Sequence, residues 1–420
     1  MPRVQCSPLL FLLTGLGWLT FSAVLGLGLF LAMTLGQHVP PHYRSLHVHL
    51  ALVGGVAQLM LGATLPSRLN PSRSTSSPVL YAALNVATIG LLAGFWLGQS
   101  AVIGAAGLLV ILACLSLFRD SFGQTQNGPR SFLPWLYGVA LLSLLGGLAV
   151  GEGMILRLFS HQFIGQARLA HIHLLLIGFV TVIIVRTMYH LFPAVLNGRL
   201  HSLLLAHLSV ALLPLGMLVL TCGFLLSSLW TQLAGGMITL AAAAIYGFNL
   251  LRTWRDAGRA TNAAADHFMQ ATAFLAVGIV TGMLVSINFL FDPPAVPFGD
   301  IHLVAYTHLL LLGFFLHTTF GALSHLLPTL LATQRVQSNK QRESYQALLT
   351  AIVERWRPVQ VSTLSVGTMG LAVVAALLWQ FPLRSIPAQS ATWISLSLLL
   401  VSFALFAGKI GLMFTERPNK

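Results

Sequence analysis

The sequence predicts an all-α integral membrane protein of twelve transmembrane helices, set in three four-helix arcs about a pseudo-threefold axis. Three observations carry this. The chain is 56% hydrophobic and only 7% charged, whereas a soluble domain has roughly a quarter of its residues charged. Apolar runs of about 20 residues, the length that crosses a hydrocarbon core, recur twelve times. One motif recurs three times: Arg44-Ser-Leu-His47-Val-His49-Leu-Ala-Leu-Val-Gly54, Arg168-Leu-Ala-His171-Ile-His173-Leu-Leu-Leu-Ile-Gly178 and Leu303-Val-Ala-Tyr306-Thr-His308-Leu-Leu-Leu-Leu-Gly313. Each copy opens a membrane-length stretch that closes on a proline, Pro66, Pro193 or Pro328. A repeat of this regularity marks an internally duplicated architecture.

In chain order the expected spans fall near 8–36, 45–66, 78–98, 100–118, 132–155, 168–194, 202–226, 228–251, 266–291, 301–330, 359–381 and 391–415. The first run is too long for a signal-peptide core and lacks a small-residue cleavage site, so it is expected as a retained helix. Turn chemistry separates the runs, as in Gln126-Asn-Gly-Pro-Arg130 and Asp292-Pro-Pro-Ala-Val-Pro297. The motif sits on the second helix of each group of four, which gives repeats of about 8–118, 132–251 and 266–415 in one transmembrane domain. The polar stretch 333–358 is expected as a basic cytoplasmic loop, a solvated connector.

The formal net charge of +13 does not indicate nucleic acid, because the Lys and Arg residues lie in short loops between apolar runs. Loops after even-numbered spans hold Arg68, Arg119, Arg199, Arg252, Arg255, Arg335 and Lys340, among others, and those after odd-numbered spans are poor in cations. By the positive-inside rule both termini are cytoplasmic, and spans 2, 6 and 10 begin at the outer face. Cys6, Cys114 and Cys222 have no Cys-x-x-Cys spacing, so neither a disulfide framework nor a thiolate zinc site is indicated.

Ionisable groups inside lipid are expensive and default to functional candidates. Neutral imidazole suits haem iron and also copper. Residues two apart on a helix point roughly 200° apart, so His171 and His173 cannot share one site, nor can His47 and His49, nor Tyr306 and His308. A single buried His is more often a hydrogen-bonded core residue, but three copies at repeat positions point to a metal or haem. Arg44 and Arg168, one turn ahead of His47 and His171, suit haem propionates, with interfacial snorkelling as the competing role. Glu152 at the end of span 5 suits a proton relay or a pair with Arg168, and Arg186 within span 6 requires a partner or a polar cavity. His207, His317 and His325 read as packing or hydrogen-bonded residues. Gly146-Gly147 and Gly235-Gly236 read as close helix contacts. No Ser-His-Asp set, phosphate loop or His-Glu-x-x-His motif is present, and carboxylates are few. The chemistry is therefore expected to be redox, without efficient proton pumping.

Twelve helices, threefold arcs and histidines at the outer ends of spans 2, 6 and 10 together resemble the large catalytic subunit of the haem-copper oxidase superfamily, nearest its cbb-type oxidase and nitric oxide reductase branch. Arg44-Ser-Leu-His47 is similar to the segment carrying the span 2 ligand of the low-spin haem, and Phe320-Gly-Ala-Leu-Ser-His-Leu-Leu-Pro328 to the end of span 10. The resemblance implies His47 and His308 as the ligands of a low-spin haem b, with His49 as the substitute for His47 that the internal repeat aligns with His308. It implies His173 at the copper position. It departs from the family at Tyr306, where the high-spin haem ligand would stand, and at Leu220-Thr221-Cys222-Gly223, where a His-His pair for copper is missing.

The expected function is electron transfer through a low-spin b-type haem in a respiratory chain. The alternative is a nitric oxide or oxygen reductase, or a haem- and copper-containing protein of nitric oxide stress, with an altered centre at Tyr306, His171, His173 and Cys222. A third reading is a transporter or assembly protein with structural histidines, against which the motif helices lack the Gly/Pro break of a midplane substrate site. Expected partners are the lipid bilayer, a cytochrome c-like protein or quinol, and other respiratory subunits, in a bacterial inner membrane.

Overall fold

The computed structural model describes residues 8–62, 77–124, 134–292, 294, 305–378, 380–382 and 384–418. Every regular element among them is a helix. In order these are α1 (Pro8–Thr34), α2 (Pro41–Gly62), α3 (Ser77–Leu97), α4 (Ser100–Gln124), α5 (Pro134–Ile155), α6 (Ile164–Val195), α7 (Leu203–Leu225), α8 (Leu229–Asp256), α9 (Ala263–Asn288), α10 (Ala305–Arg335), α11 (Asn339–Glu354), α12 (Arg357–Leu377) and α13 (Ile386–Thr415). Eleven of them, all but α4 and α11, are long and apolar enough to cross a membrane, while α4 offers the shorter apolar stretch Ser100–Ser116. Large apolar side chains stand on the outside, among them Leu204, Trp230 and Ile386. The protein is an integral membrane protein, since only lipid makes so apolar a surface stable.

The boundaries move in instructive ways. Helix α8 runs on to Asp256, so Arg252 and Arg255 lie within it and not in a loop, where cations complement the negative end of the helix dipole. Pro193 and Pro328 lie inside α6 and α10 and do not end them. In membrane bundles neighbouring groups re-satisfy the backbone that proline frees. The connector expected over 333–358 contains α11, whose Tyr345, Leu349 and Val353 recur every fourth residue and are buried. That spacing makes one apolar stripe on an otherwise polar helix. The turn expected at 126–130, the third motif's Leu303 and Val304, Pro66 and most of the turn at 292–297 lie outside the described residues.

The chain divides into two compact units, one of residues 1–183 with 224–227, the other of residues 184–223 with 228–420. In the first, a polar cluster ties α1, α2 and α3: Trp18 Nε1 and Gln58 Nε2 both donate to Asn85 Oδ1, at 2.9 and 3.2 Å. In the second, Ser228 caps α8 and Asn262 caps α9 by accepting from Thr231 N and Ala265 N.

The repeat has a backbone signature. In α2, α6 and α10 an eight-residue π-helical stretch starts at the residue after the motif histidine: Leu50–Ala57 after His49, Leu174–Thr181 after His173, and Leu309–Leu316 after His308. Such wide turns are rare and gather at functional sites. Gly54 and Gly313 let the preceding helix close onto this stretch, at Trp18 and Phe274 respectively.

Arg335, the last residue of α10, caps α13. Its Nη1 donates to Tyr345 Oη (2.7 Å), Met413 O (3.3 Å) and Glu416 O (2.8 Å), and its Nη2 to Phe414 O (3.0 Å). Arg335→Ala is expected to cost about 1–3 kcal/mol by leaving those carbonyls without their donor. Arg335→Lys should recover only part of this, because an ammonium lacks the planar fork. Thermal unfolding of the detergent-solubilised protein checks both.

Candidate functional site

The two tight copies of the motif, at residues 44–54 and 168–178, both lie in the first unit. All four of their imidazoles set Nδ1 on a main-chain carbonyl. His47 uses Ser22 O (2.8 Å), His49 Ser45 O (2.7 Å), His171 Gly147 O (2.7 Å) and His173 Leu169 O (2.8 Å). A carbonyl only accepts, so each Nδ1 carries the proton and each Nε2 presents a lone pair. This is the arrangement that prepares imidazole as a metal ligand.

The pairs divide as the helical angle requires. The first histidine of each pair, His47 or His171, bonds across to the preceding helix, and the second, His49 or His173, bonds four residues back on its own. His47 is further clasped by Ser22, whose Oγ lies 3.0 Å from its Nδ1 and also donates to its carbonyl. His173 is buried with its ring 4.5 Å from that of Phe224.

His49 and His171, on α2 and α6, come together. Their ring centroids are 6.2 Å apart and their planes 27° apart. Two imidazoles that held one metal between them would have ring centroids about 6 Å apart, from two metal–nitrogen bonds of about 2 Å and a half-ring of about 1 Å on each side. No described hydrogen bond engages Nε2 of either ring. Phe95 flanks His49, with centroids at 4.8 Å. One turn along, an apolar cavity opens between the helices, lined by Leu52 and Val53 of α2 and Leu175 and Phe179 of α6, with Cys114 and Tyr137.

Glycines shape the rings' surroundings. A Cβ on Gly26 would lie 2.6 Å from His47 Cε1, one on Gly151 2.9 Å from His171 Cε1, and one on Gly282 3.0 Å from Tyr306 Cε2. Each of these glycines follows a small residue by four: Ser22 before Gly26, Gly147 before Gly151, Gly278 before Gly282. In the sequence the glycines read mostly as close helix contacts. The signal for their second role was this small-x-x-x-Gly recurrence on the helix before each motif. Tyr306 thus occupies the third copy of the place that His47 and His171 fill. It is buried in the second unit, and His308 directly precedes the π-helical stretch there.

Arg44 and Arg168 are exposed one turn ahead of His47 and His171. The carboxylate of Glu152 is seated on Gly107 and beside Gly104 of α4. Among the described residues no three His, Cys, Asp or Glu side chains gather as a metal site.

No family model matches the chain, and a search of curated proteins returns no match. The functional reading rests on the residues themselves.

Gly26→Val is expected to push the His47 ring off Ser22 and cost about 1–3 kcal/mol, as overpacking does. Gly28→Val, two residues along α1 where an added Cβ meets nothing within 4 Å, should be near neutral. Thermal unfolding of the two variants side by side tests this.

Proposed function

We propose that the protein is an integral membrane haem protein that carries electrons, with His49 and His171 as the residues that would hold the haem. The observation that carries this is their spacing: two imidazoles 6.2 Å apart on different helices, each with Nδ1 on a backbone carbonyl. The residues present fit the group in three respects. The Nε2 lone pairs are prepared for iron, the cavity one turn along is apolar as a macrocycle edge needs, and exposed cations precede both rings, Arg168 one turn ahead of His171 and Arg44 five residues ahead of His49, where propionates need them.

Haem bound between two imidazoles supplies one-electron transfer with no open coordination position. The chain's residues do the positioning. Ser45 O and Gly147 O fix the ring tautomers, Gly151 admits the His171 ring against α5, and Phe95 packs on the His49 ring. A low-spin haem b, a respiratory chain in a bacterial inner membrane and a cytochrome c-like protein or quinol as redox partner complete the proposal. Cytoplasmic termini, twelve spans in three arcs and kinship with the haem-copper oxidase large subunit belong to it too. Copper at His173 does not fit as well, since that ring packs on Phe224 and the stretch 220–223 brings no histidine.

The test is the absorption spectrum of the purified protein, oxidised and reduced, with haem and copper counted per chain. One low-spin b-type haem, no copper and no shift with carbon monoxide is expected, and His49→Ala or His171→Ala should each lose the low-spin spectrum. Retention in both variants, with loss in His47→Ala and His308→Ala, would move the haem to the pair that the family resemblance implies. Copper with a carbon monoxide shift would instead establish a gas-binding centre, and absence of haem would refute the proposal.

A further inference from the structure

The second unit holds a buried polar chain that plays no part in the proposed haem site. It joins four helices. His267 of α9 and His317 of α10 share a hydrogen between their Nδ1 atoms, 2.8 Å apart. His267 Nε2 faces Gln360 Nε2 of α12 at 3.5 Å, His317 Nε2 faces Ser365 Oγ at 3.2 Å, and Lys409 Nζ of α13 donates to Gln360 Oε1. Exposure is 1% for His267, 0% for His317, 2% for Gln360 and 6% for Lys409.

With Lys409 charged, the partners set every hydrogen in this chain. An ammonium only donates, so Gln360 accepts from Lys409 with Oε1 and turns its Nε2 to His267. His267 then receives at Nε2 and carries its proton on Nδ1, which it donates to His317. His317 in turn carries its proton on Nε2 and donates to Ser365, whose hydroxyl passes on to Val361 O at 2.9 Å. All donors run one way, from Lys409 inward.

A second arrangement satisfies the same atoms. If the Gln360 amide turns over, Oε1 accepts from a protonated Nε2 of His267, and Nε2 donates to a neutral Lys409 amine. The bonds from His267 to His317 and from His317 to Ser365 are unchanged. In going from one to the other Lys409 gives up one proton and keeps its electron pair, His267 Nε2 gains one proton, and the charge of the cluster stays the same. The 3.5 Å contact between Gln360 and His267 is the loose link that the turn would tighten.

We propose that this cluster is a proton-exchange site that holds a single positive charge, on Lys409 or on the His267–His317 pair, with the Gln360 amide turning between the two. A purely structural role does not need a buried ammonium whose described hydrogen-bond acceptor is a neutral amide, and such a group in lipid is costly. A second proton would set two cations against each other with no buried carboxylate among the described residues between them. The charged groups that face the cluster lie together at one end of these helices: Asp266 on α9, Glu354 on α11 and Arg357 on α12. Arg357 is 3.0 Å from both carboxylates, hydrogen-bonded through Nη1 to Glu354 and beside Asp266 at Nε without bond alignment. Asp266 adjoins His267 and Arg357 lies one turn before Gln360, so the rim that meets water is one turn from the site. Protons reach the site there, from water or a buffer acid.

The test is nitrogen-15 NMR of the full-length protein in nanodiscs with labelled histidine, titrated from about pH 5 to about pH 8, where imidazole charge is read directly. In the native chain the His267–His317 pair is expected to gain a proton only where Lys409 loses one, the two rings staying coupled through the shared hydrogen. In Lys409→Met one ring of the pair is expected to gain a proton within that range, one per chain, and the gain should vanish when His267→Gln is added. Where that double variant fails to fold, His267→Asn with Lys409→Met serves the same purpose. Rings that stay neutral and unshifted in Lys409→Met, or a His267 that protonates in the native chain while Lys409 remains charged, would overturn the proposal. Neither result depends on whether haem binds.

Discussion

A ring N–H buried in hydrocarbon has no water to turn to, so its acceptor must come from the protein. In the first unit that acceptor is a backbone carbonyl in all four cases, and the choice decides the chemistry. Once Nδ1 is bound to Ser22, Ser45, Gly147 or Leu169, the proton cannot sit on Nε2 of a neutral ring. Satisfying one nitrogen leaves the other as a Lewis base of fixed direction. The requirement that keeps a polar side chain tolerable in lipid is the same one that prepares it for a metal.

The backbone around these rings is built to the same end three times. A small residue and a glycine one turn apart on the preceding helix admit the ring, and a π-helical stretch begins just beyond the second motif position. A wider turn changes which side chains face the neighbour beyond that point, which is why Leu52 and Val53, three and four residues after His49, line a cavity and do not simply continue the packed face. The third copy keeps the frame and replaces the first histidine with Tyr306, whose ring rests on Gly282. A frame kept where one ligand has changed implies that close ring-to-helix packing is itself a structural requirement of the repeat.

Much of this was legible in the residues. Apolar length and loop punctuation placed eleven of the spans, because backbone satisfaction in lipid leaves a helix no alternative, and the internal repeat marked the stretches of α2, α6 and α10 that carry the π-helical turns. Helical angle alone separated His47 from His49 and His171 from His173. The closeness of His49 to His171 was not legible, since it depends on how α2 meets α6 and no local pattern encodes that. The resemblance pointed to His47 with His308. The buried chain at His267 was not legible from the carboxylates, although Lys409, the one charged residue of α13 and six residues from its end, carried the signal. Helix α11 was read as a connector because its charge outweighed a stripe of three residues, Tyr345, Leu349 and Val353.

The central claim is that one iron sits between His49 and His171, and its most direct test is electron paramagnetic resonance of the oxidised protein at low temperature. Axial imidazoles with planes 27° apart are close to parallel, and near-parallel planes separate the iron d-orbitals enough to give a rhombic low-spin signal. The account predicts that signal, and predicts its loss in His171→Ala with haem still countable or released. A high-spin signal in the native protein, or the strongly anisotropic low-spin signal of crossed imidazole planes that survives His171→Ala, would contradict it.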